Sequence, residues 1–182
     1  MQTVSLKKFK QHKDLRGNFF RAVLWELAGF LFLRNPLCIF SPFKCFVLTV
    51  FGASIGVGVV IKQGVQIKYP WKLTVGDDSW IGEGVWIDNI VPVEIGKNVC
   101  LSQGAYLCTG NHDWTKHDFP LVAKTIVIED GVWVGAKAIV APGVRMCSHS
   151  IVTAGSLLAK DSQPYKIYTG NPAIYVKDRI IQ

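Results

Sequence analysis

One stretch of the sequence concentrates side chains that could move a proton. It runs from Gly110 to Pro120 and contains two histidines, two aspartates, a lysine and a tryptophan. The unperturbed pKa of an imidazole is near neutrality, so a histidine here could accept the proton of an attacking hydroxyl group. His112 is the candidate general base, because it lies five residues past a repeated aliphatic position at Leu107.

A general base also needs a partner that holds its ring in the productive tautomer. Asp113 is one candidate, since it follows the histidine directly. Asp88 and Asn89 are two others, because the repeat described next places them at the corner below the loop. Asp88 and Asn89 could instead bind substrate hydroxyls, and the residue types alone leave these roles open.

The elements that position this stretch follow a six-residue repeat. After residue 54, aliphatic side chains recur six apart in five sets of three: Ile55, Ile61, Ile67; Val75, Ile81, Ile87; Ile95, Leu101, Leu107; Ile128, Val134, Val140; Met146, Val152, Leu158. Neither a helix, with a period of 3.6, nor an ordinary strand, with a period of 2, explains this spacing. A coil with three flat faces does explain it, with one hexapeptide on each face.

Two further positions keep the same register. Glycine follows the aliphatic residue at Gly56, Gly76, Gly82, Gly96 and Gly135. Thirteen of the fifteen repeats carry a small or β-branched residue four positions on, and the exceptions are Trp71 and Asn111. We therefore predict a mainly β fold, a parallel β-helix of about five coils whose turns stack at roughly 4.8 Å.

The breaks in the spacing indicate where side chains leave the coil. All three interior breaks follow the third member of a set: Ile67 to Val75, Ile87 to Ile95, and Leu107 to Ile128. The insertions therefore stack at one corner. The longest forms a protruding loop over residues 108–125, above a shorter insertion around Asp88 to Pro92.

The first 54 residues do not follow the repeat. Residues 1–21 hold six basic residues against Asp14 alone, and two apolar runs follow, Ala22 to Leu33 and Pro36 to Phe51. Neither run reaches the roughly 20 residues of a spanning helix. This segment, residues 1–54, is predicted to be helical and suits either a membrane surface or a neighbouring subunit through residues 1–51. A helical cap on the open end of the coil is the alternative.

Composition limits the remaining possibilities. A chain of 182 residues with 49% apolar content supports one main domain, here the coil over residues 55–163, followed by a short helical tail over residues 164–182. The five cysteines are odd in number and lack metal or redox spacing, which predicts reduced, mostly buried thiols. No secretory signal is evident. We therefore expect a cytoplasmic protein, with the inner face of the membrane as the alternative location.

Five short motifs carry a family resemblance. They are Thr109–Asp113, Val132–Ala136, Ala141–Val144, Ala154–Ser156 and Gly170–Ala173. With the repeat, they make the chain from about Ile55 to Arg179 resemble the hexapeptide-repeat acyltransferases. The resemblance is strongest to the group that contains maltose and galactoside acetyltransferases and colanic acid biosynthesis acetyltransferases. It implies a left-handed coil, and the N-terminal segment favours the exopolysaccharide branch.

The resemblance also implies a reaction, in which His112 and Asp113 serve catalysis between the subunits of a homotrimer. The donor would be acetyl-CoA and the acceptor a sugar hydroxyl, with no acyl-enzyme and no metal. Acceptor contacts would come from Asp88, Asn89, Asn111 and Trp114. Coenzyme A contacts would come from Trp133, Gly135, Ala136, Ala154, Gly155, Ala159, Lys160, Lys177 and Arg179. The chain departs from the family pattern at Ile174, where a basic residue is common, and at Ile90, where a related branch is acidic.

Two other functions are compatible with the same fold. A zinc carbonic anhydrase would need three histidine ligands, and the chain has only His12, His112, His117 and His149, widely spread. A non-catalytic assembly module would use the coil as a spacer, which the composition of the loop disfavours. Nucleic-acid binding is disfavoured because the charge excess is confined to one short tail.

Overall fold

The computed structural model describes residues 3–9 and 17–182. His12 and most of the charged tail, Lys10, Lys13, Asp14 and Arg16, lie outside the described residues. The described part consists of a parallel β-solenoid with a helical layer packed on its N-terminal end.

The solenoid has three faces, A, B and C, each a stack of short parallel strands. Face A contains β1 (Ser54–Ile55), β4 (Leu73–Val75), β7 (Val93–Ile95), β12 (Ile126–Ile128) and β15 (Arg145–Met146). Face B contains β2 (Val60–Ile61), β5 (Trp80–Ile81), β8 (Cys100–Leu101), β13 (Trp133–Val134), β16 (Ile151–Val152) and β18 (Lys166–Gly170). Face C contains β3 (Gln66–Ile67), β6 (Trp86–Asp88), β9 (Tyr106–Cys108), β14 (Ile139–Val140) and β17 (Leu157–Leu158).

Five complete turns confirm the predicted mainly β coil, and β18 adds a sixth strand to face B. The left-handed sense stays a prediction. Fourteen of the fifteen repeated aliphatic residues are buried, and Ile55, on the first strand, is half-buried. Buried serines complete the interior. The Ser79 hydroxyl, for example, donates to the Gly96 carbonyl at 2.8 Å and accepts from the Val99 N–H at 3.1 Å.

The outward side chains divide the faces into one polar and two apolar ones. Along face A they are mainly polar or charged: Ser54, Thr74, Glu94, Val127 and Arg145. Faces B and C instead expose aromatic side chains in register. Trp80 and Trp133 flank Cys100 on face B, and Trp86 pairs with Tyr106 on face C. These two faces are therefore the better candidates for contact with another chain.

The helical layer consists of α1 (Phe19–Ala28), a π-helical turn (Gly29–Leu33) and α2 (Ser41–Val50). The Asn18 side chain caps α1 by accepting from the N–H groups of Phe20 and Arg21. Trp25 and Leu48 are buried against the coil, and the Trp25 indole donates to the Ile67 carbonyl at 2.8 Å. The layer therefore covers the first turn, as a cap would.

Lys44 of α2 is fully buried at this junction. Its ammonium donates to the carbonyl oxygens of Lys62 at 2.7 Å and Ile61 at 3.4 Å, and burial lowers the pKa of Lys44. Within the described ranges, no helix has the length and hydrophobicity needed to cross a bilayer.

The predicted helical tail is wrong. Residues after 163 form β18 and β19 (Ala173–Asp178), an antiparallel pair joined by a tight turn. β18 also pairs with β16, because the last turn leaves an open strand edge whose backbone groups need partners. The β-branched and aromatic residues Ile167, Tyr168, Ile174, Tyr175 and Val176 suit strands better than helices.

The prediction for the cysteines is also partly wrong. All five are free thiols, but each is partly buried rather than buried. They occupy outward or corner positions on the coil, such as Cys100 and Cys108, and positions in the helical layer, such as Cys38 and Cys45. Cys100 and Cys108 each lie next to an inward aliphatic residue, Leu101 or Leu107, so their side chains face outward.

Candidate active site

A two-stranded hairpin carries the candidate base. β10 (Gly110–His112) and β11 (Leu121–Ala123) pair antiparallel and leave the coil at the corner between faces C and A, here called the C–A corner. Thr109 is buried at the base of the hairpin. Its hydroxyl donates to the Asp88 carbonyl at 2.7 Å and accepts from the Ile90 N–H at 2.9 Å. The hairpin is therefore tied directly to the shorter insertion below it.

The His112 ring is half-buried between two aromatic rings. It stacks on Phe119 at 4.4 Å, with 9° between the ring planes, and lies 5.5 Å from Phe9 of the N-terminal segment. The His112 Nδ1 atom is 2.9 Å from the Phe119 carbonyl oxygen. A carbonyl can only accept, so Nδ1 carries the proton of the neutral ring and Nε2 keeps a lone pair. This is the tautomer that a general base requires.

Two of the expected orienting side chains are engaged elsewhere. The Asp113 carboxylate accepts from the Thr115 hydroxyl and N–H and lies 3.7 Å from the Lys116 ammonium, and these contacts lower the pKa of Asp113. Asn89 is fully buried and bonds the backbone of Tyr69 and Lys68. Asn89 thus stabilises the shorter insertion. The group that orients the His112 ring is the backbone carbonyl of Phe119.

Asp88 has an unusual environment. It is only 9% exposed, and its Oδ1 atom lies 2.9 Å from the Lys68 ammonium in an ion pair whose geometry makes no hydrogen bond. Its Oδ2 atom accepts from the Tyr106 hydroxyl at 3.5 Å. Burial, with Cys108 and Asp88 nearby, raises the pKa of Tyr106, so that hydroxyl keeps its proton. The Asp88 carboxylate is therefore held between an ammonium and a hydroxyl group at the C–A corner.

A cavity of about 200 Å³ lies beside Asp88, between the helical layer and face C. Polar and aromatic groups from both sides line it: Trp25, Glu26, Arg34, Lys68, Trp86 and Asp88. Trp86 stacks on Tyr106 at 4.5 Å, and Glu26 pairs with Arg34 at 2.9 Å. Sequence reasoning missed Glu26, Arg34 and Trp86. Only Trp86 could have been noticed in the sequence, because it is an outward aromatic residue directly before the interior Ile87.

The remaining expected acceptor contacts lie on the hairpin. Asn111 is exposed, and its side-chain oxygen accepts from the His112 N–H at 2.8 Å. Trp114 is 71% exposed at the far end of the hairpin. Both are thus on the same hairpin as the imidazole, and Trp114 is free to contact a second molecule.

Four of the expected coenzyme A contacts form a strip at the corner between faces B and C, the B–C corner. Gly135 and Ala136 lie one turn from Ala154 and Gly155, and the Gly155 N–H donates to the Ala136 carbonyl at 2.8 Å. A Cβ atom on Gly135 would lie 2.4 Å from the Ala154 nitrogen. Trp133 stands beside the strip, 45% exposed, with its indole bonded to the Ser102 hydroxyl at 2.8 Å.

The other expected coenzyme A contacts lie elsewhere. Ala159 and Lys160 are exposed after β17, and Lys177 is exposed on β19. The Arg179 guanidinium donates to the carbonyl oxygens of Gly131 and His149 at 2.8 and 3.1 Å, between faces A and B. The structure therefore does not gather the nine residues on one surface of the chain.

The imidazole and the B–C strip are also separated within the chain. One hexapeptide face lies between the two corners, a distance on the order of 15–20 Å. Over residues 3–9 and 17–182, no group of three or more histidine, cysteine or acidic residues is arranged to hold a metal ion. The described residues therefore present a candidate histidine base and a narrow backbone strip at two different edges of the coil.

Comparison with known proteins gives one family. The model for the hexapeptide repeat of succinyl-transferase matches residues 72–108 and 125–160. The chain is 36% identical over 177 residues to the "Putative colanic acid biosynthesis acetyltransferase WcaF" of Escherichia coli (strain K12), covering 96% of this chain and 97% of that protein.

Two solved structures share the fold. A maltose O-acetyltransferase from Clostridium difficile 630 superposes with a TM-score of 0.79 at 20% identity, over the whole of both chains. The hexapeptide-repeat acetyltransferase VCA0836 from Vibrio cholerae O1 biovar eltor, complexed with acetyl-coenzyme A, superposes with a TM-score of 0.76 at 22% identity, over 90% of this chain and 86% of that one. Repeat, fold and full-length identity agree: the chain belongs to the hexapeptide-repeat acetyltransferases.

Proposed function

We propose that this acetyltransferase moves an acetyl group from acetyl-CoA to a hydroxyl group of a saccharide, in exopolysaccharide biosynthesis. The observation that carries the proposal is the His112 ring, whose Nδ1 is held by the Phe119 carbonyl at 2.9 Å. The names of the relatives support the two substrates, since one acts in colanic acid biosynthesis and another is complexed with acetyl-coenzyme A.

His112 would act twice in this reaction. Its Nε2 atom takes the proton from the sugar hydroxyl as the oxygen attacks the thioester carbonyl carbon. The carbon–sulfur bond then breaks, and the same proton passes from the imidazolium to the departing thiolate. Oxygen ester and free thiol are the products, and no acyl-enzyme forms. Backbone N–H groups at the B–C corner, near Ala136, would stabilise the oxyanion.

The B–C strip fits the thin arm of coenzyme A. Its members lack side chains beyond Cβ, so an extended ligand can lie against the backbone of Gly135, Ala136, Ala154 and Gly155. Trp133 would flank that arm. Lys160 and Lys177 are exposed and free to meet phosphates, whereas Arg179 would have to do so while bonded to two carbonyl oxygens.

A homotrimer would bring the two edges together. In a closed ring, each chain contacts its neighbours through two different surfaces, and faces B and C offer two surfaces with exposed aromatic residues. We propose that the hairpin of one chain lies over the B–C strip of the next, because the reaction needs the imidazole and the strip at one site. The acceptor would enter the cavity that the Asp88 carboxylate and the Lys68 ammonium line, where Trp86 can pack on a sugar ring.

The proposed reaction also implies a location. Acetyl-CoA is a cytoplasmic metabolite, so we infer that the protein works in the cytoplasm. A polysaccharide precursor at the inner face of the membrane is the acceptor that fits this location.

The test is the acetyl-transfer rate of a His112→Ala protein against a panel of sugars, nucleotide sugars and lipid-linked oligosaccharides. We expect kcat to fall by about 10²–10⁴-fold, because a general base is lost, with oligomeric state and CoA affinity unchanged. His117→Ala is the matched control, since that ring is exposed on the same hairpin and should leave kcat near the wild-type value. Full activity of the His112→Ala protein would refute the mechanism.

A further inference from the structure

The outer side of the helical layer is apolar and exposed to solvent. Thirteen large apolar side chains there are exposed by 38–86% and define the helical outer face: Phe19, Phe20, Val23, Leu24, Leu27, Phe30, Leu31, Leu37, Ile39, Phe40, Phe43, Phe46 and Val50. Together they expose on the order of 1,000 Å². The largest apolar patch on a typical soluble monomer is roughly 300–600 Å², so a patch of this size indicates a binding surface.

The charged residues of the helical layer all interact with other groups of the chain. Four occur between Phe19 and Phe51. Lys44 is buried against the coil, and Glu26 and Arg34 pair with each other at the cavity. Arg21 donates to the Phe51 carbonyl and lies 4.6 Å from the centre of the Trp71 ring. The helical outer face therefore offers apolar contact without a fixed charge of its own.

The chain that leads into this face is strongly basic. Residues 1–16 carry Lys7, Lys8, Lys10, Lys13 and Arg16 against Asp14 alone, and Lys7 and Lys8 are exposed. Near an anionic leaflet, each such cation contributes about 1 kcal/mol of attraction. A second copy of the same chain would bring the same positive charge, which opposes self-association through this face. The apolar face and the basic sequence that precedes it together match an anionic lipid surface.

We propose that the helical outer face docks on the anionic surface of a bilayer and that the acceptor is a lipid-linked saccharide. The inference rests on the proposed acetyl transfer to a saccharide. The inner side of the same layer lines the acceptor cavity through Trp25, Glu26 and Arg34. A helix is about 10–12 Å across, so docking would bring the cavity to within about that distance of the lipid. A saccharide anchored in the membrane could reach Asp88 without leaving its lipid.

The test is sedimentation of the full-length protein with vesicles of phosphatidylcholine alone or of phosphatidylcholine with 30% phosphatidylglycerol, at low and high salt. We expect binding to the anionic vesicles that weakens with salt. A Phe20→Ser/Phe46→Ser protein should bind about tenfold more weakly or worse, because two exposed aromatic anchors are lost. Val57→Ser is the matched control, since Val57 is 82% exposed on the coil and should leave binding unchanged.

Three results would overturn the docking proposal. They are no binding to anionic vesicles, equal binding of the double variant and the wild type, and a change of oligomeric state in the double variant without vesicles. A measurement of Tm with and without CoA distinguishes failure of the docking proposal from failure of the proposed acetyl transfer. The double variant should retain that rise, because the B–C strip is untouched, whereas its absence in the wild type would speak against acetyl transfer.

Discussion

The B–C and C–A corners of the coil follow the same repeat but offer different chemistry. At the B–C corner, successive turns approach so closely that a Cβ on Gly135 would lie 2.4 Å from the next backbone nitrogen. At the C–A corner, inserted residues lengthen the connections between faces. These connections carry a hairpin, a buried carboxylate and an imidazole. Tight stacking leaves room only for backbone and small side chains, while insertion provides side chains for proton transfer.

This difference shows how a regular scaffold can separate two tasks. The B–C corner offers a strip of backbone and small side chains suited to a long donor molecule, and the C–A corner offers the candidate base and the proposed acceptor cavity. Neither corner alone can complete the proposed reaction. Substitutions at the two corners should consequently have different effects on stability and on substrate binding.

The largest effect is expected at the B–C corner, on the free energy of unfolding. Gly135→Ala forces a methyl group against the backbone of the next turn and should destabilise the fold by about 2–3 kcal/mol, since a close-packed backbone cannot yield locally. Gly84→Ala is the control at the same corner. Its Cβ would meet nothing within 4 Å, so only the strain of its φ of +65° remains, about 1 kcal/mol. Denaturant unfolding measures both, and equal losses would contradict the close-packing argument.

A smaller effect is expected at the C–A corner, on the KM for the acceptor. Asp88→Asn keeps the size of the side chain but removes the negative charge beside the cavity, so an acceptor hydroxyl would bind more weakly. We expect the acceptor KM to rise about tenfold, the value of one charged hydrogen bond, with CoA affinity and stability near wild type. Steady-state kinetics with each substrate varied in turn makes this distinction. A rise in the KM for acetyl-CoA alone would place Asp88 in the donor site instead.

The sequence predicted the coil well because its period is set by burial. The interior positions must be aliphatic wherever turns stack, so fourteen of the fifteen are buried as expected. The inserted corner followed from the same count, because a break in the period after Leu107 has to leave the coil there. The tail was predicted less well, since pairing with the exposed edge of β16 depends on tertiary contact and not on local pattern.

For the candidate site, the sequence carries a signal only where a single side chain does. His112 stood out as an imidazole in a loop, but its orienting group is the Phe119 carbonyl, and every residue has a carbonyl. The cavity could not be predicted either. It combines Glu26 and Arg34 of the helical layer with Asp88 of the coil, and no periodicity relates the placement of one to the other.

The central claim is that the imidazole of one chain works against the B–C strip of another, and mixed assembly tests it most directly. His112→Ala and Ala154→Trp proteins should each be inactive, the first without its base and the second with an obstructed strip. Co-refolded in equal amounts, they should recover roughly one quarter of the wild-type rate, because one site in four would pair an intact base with an intact strip. Mixed assemblies that form but remain inactive would contradict a site shared between chains.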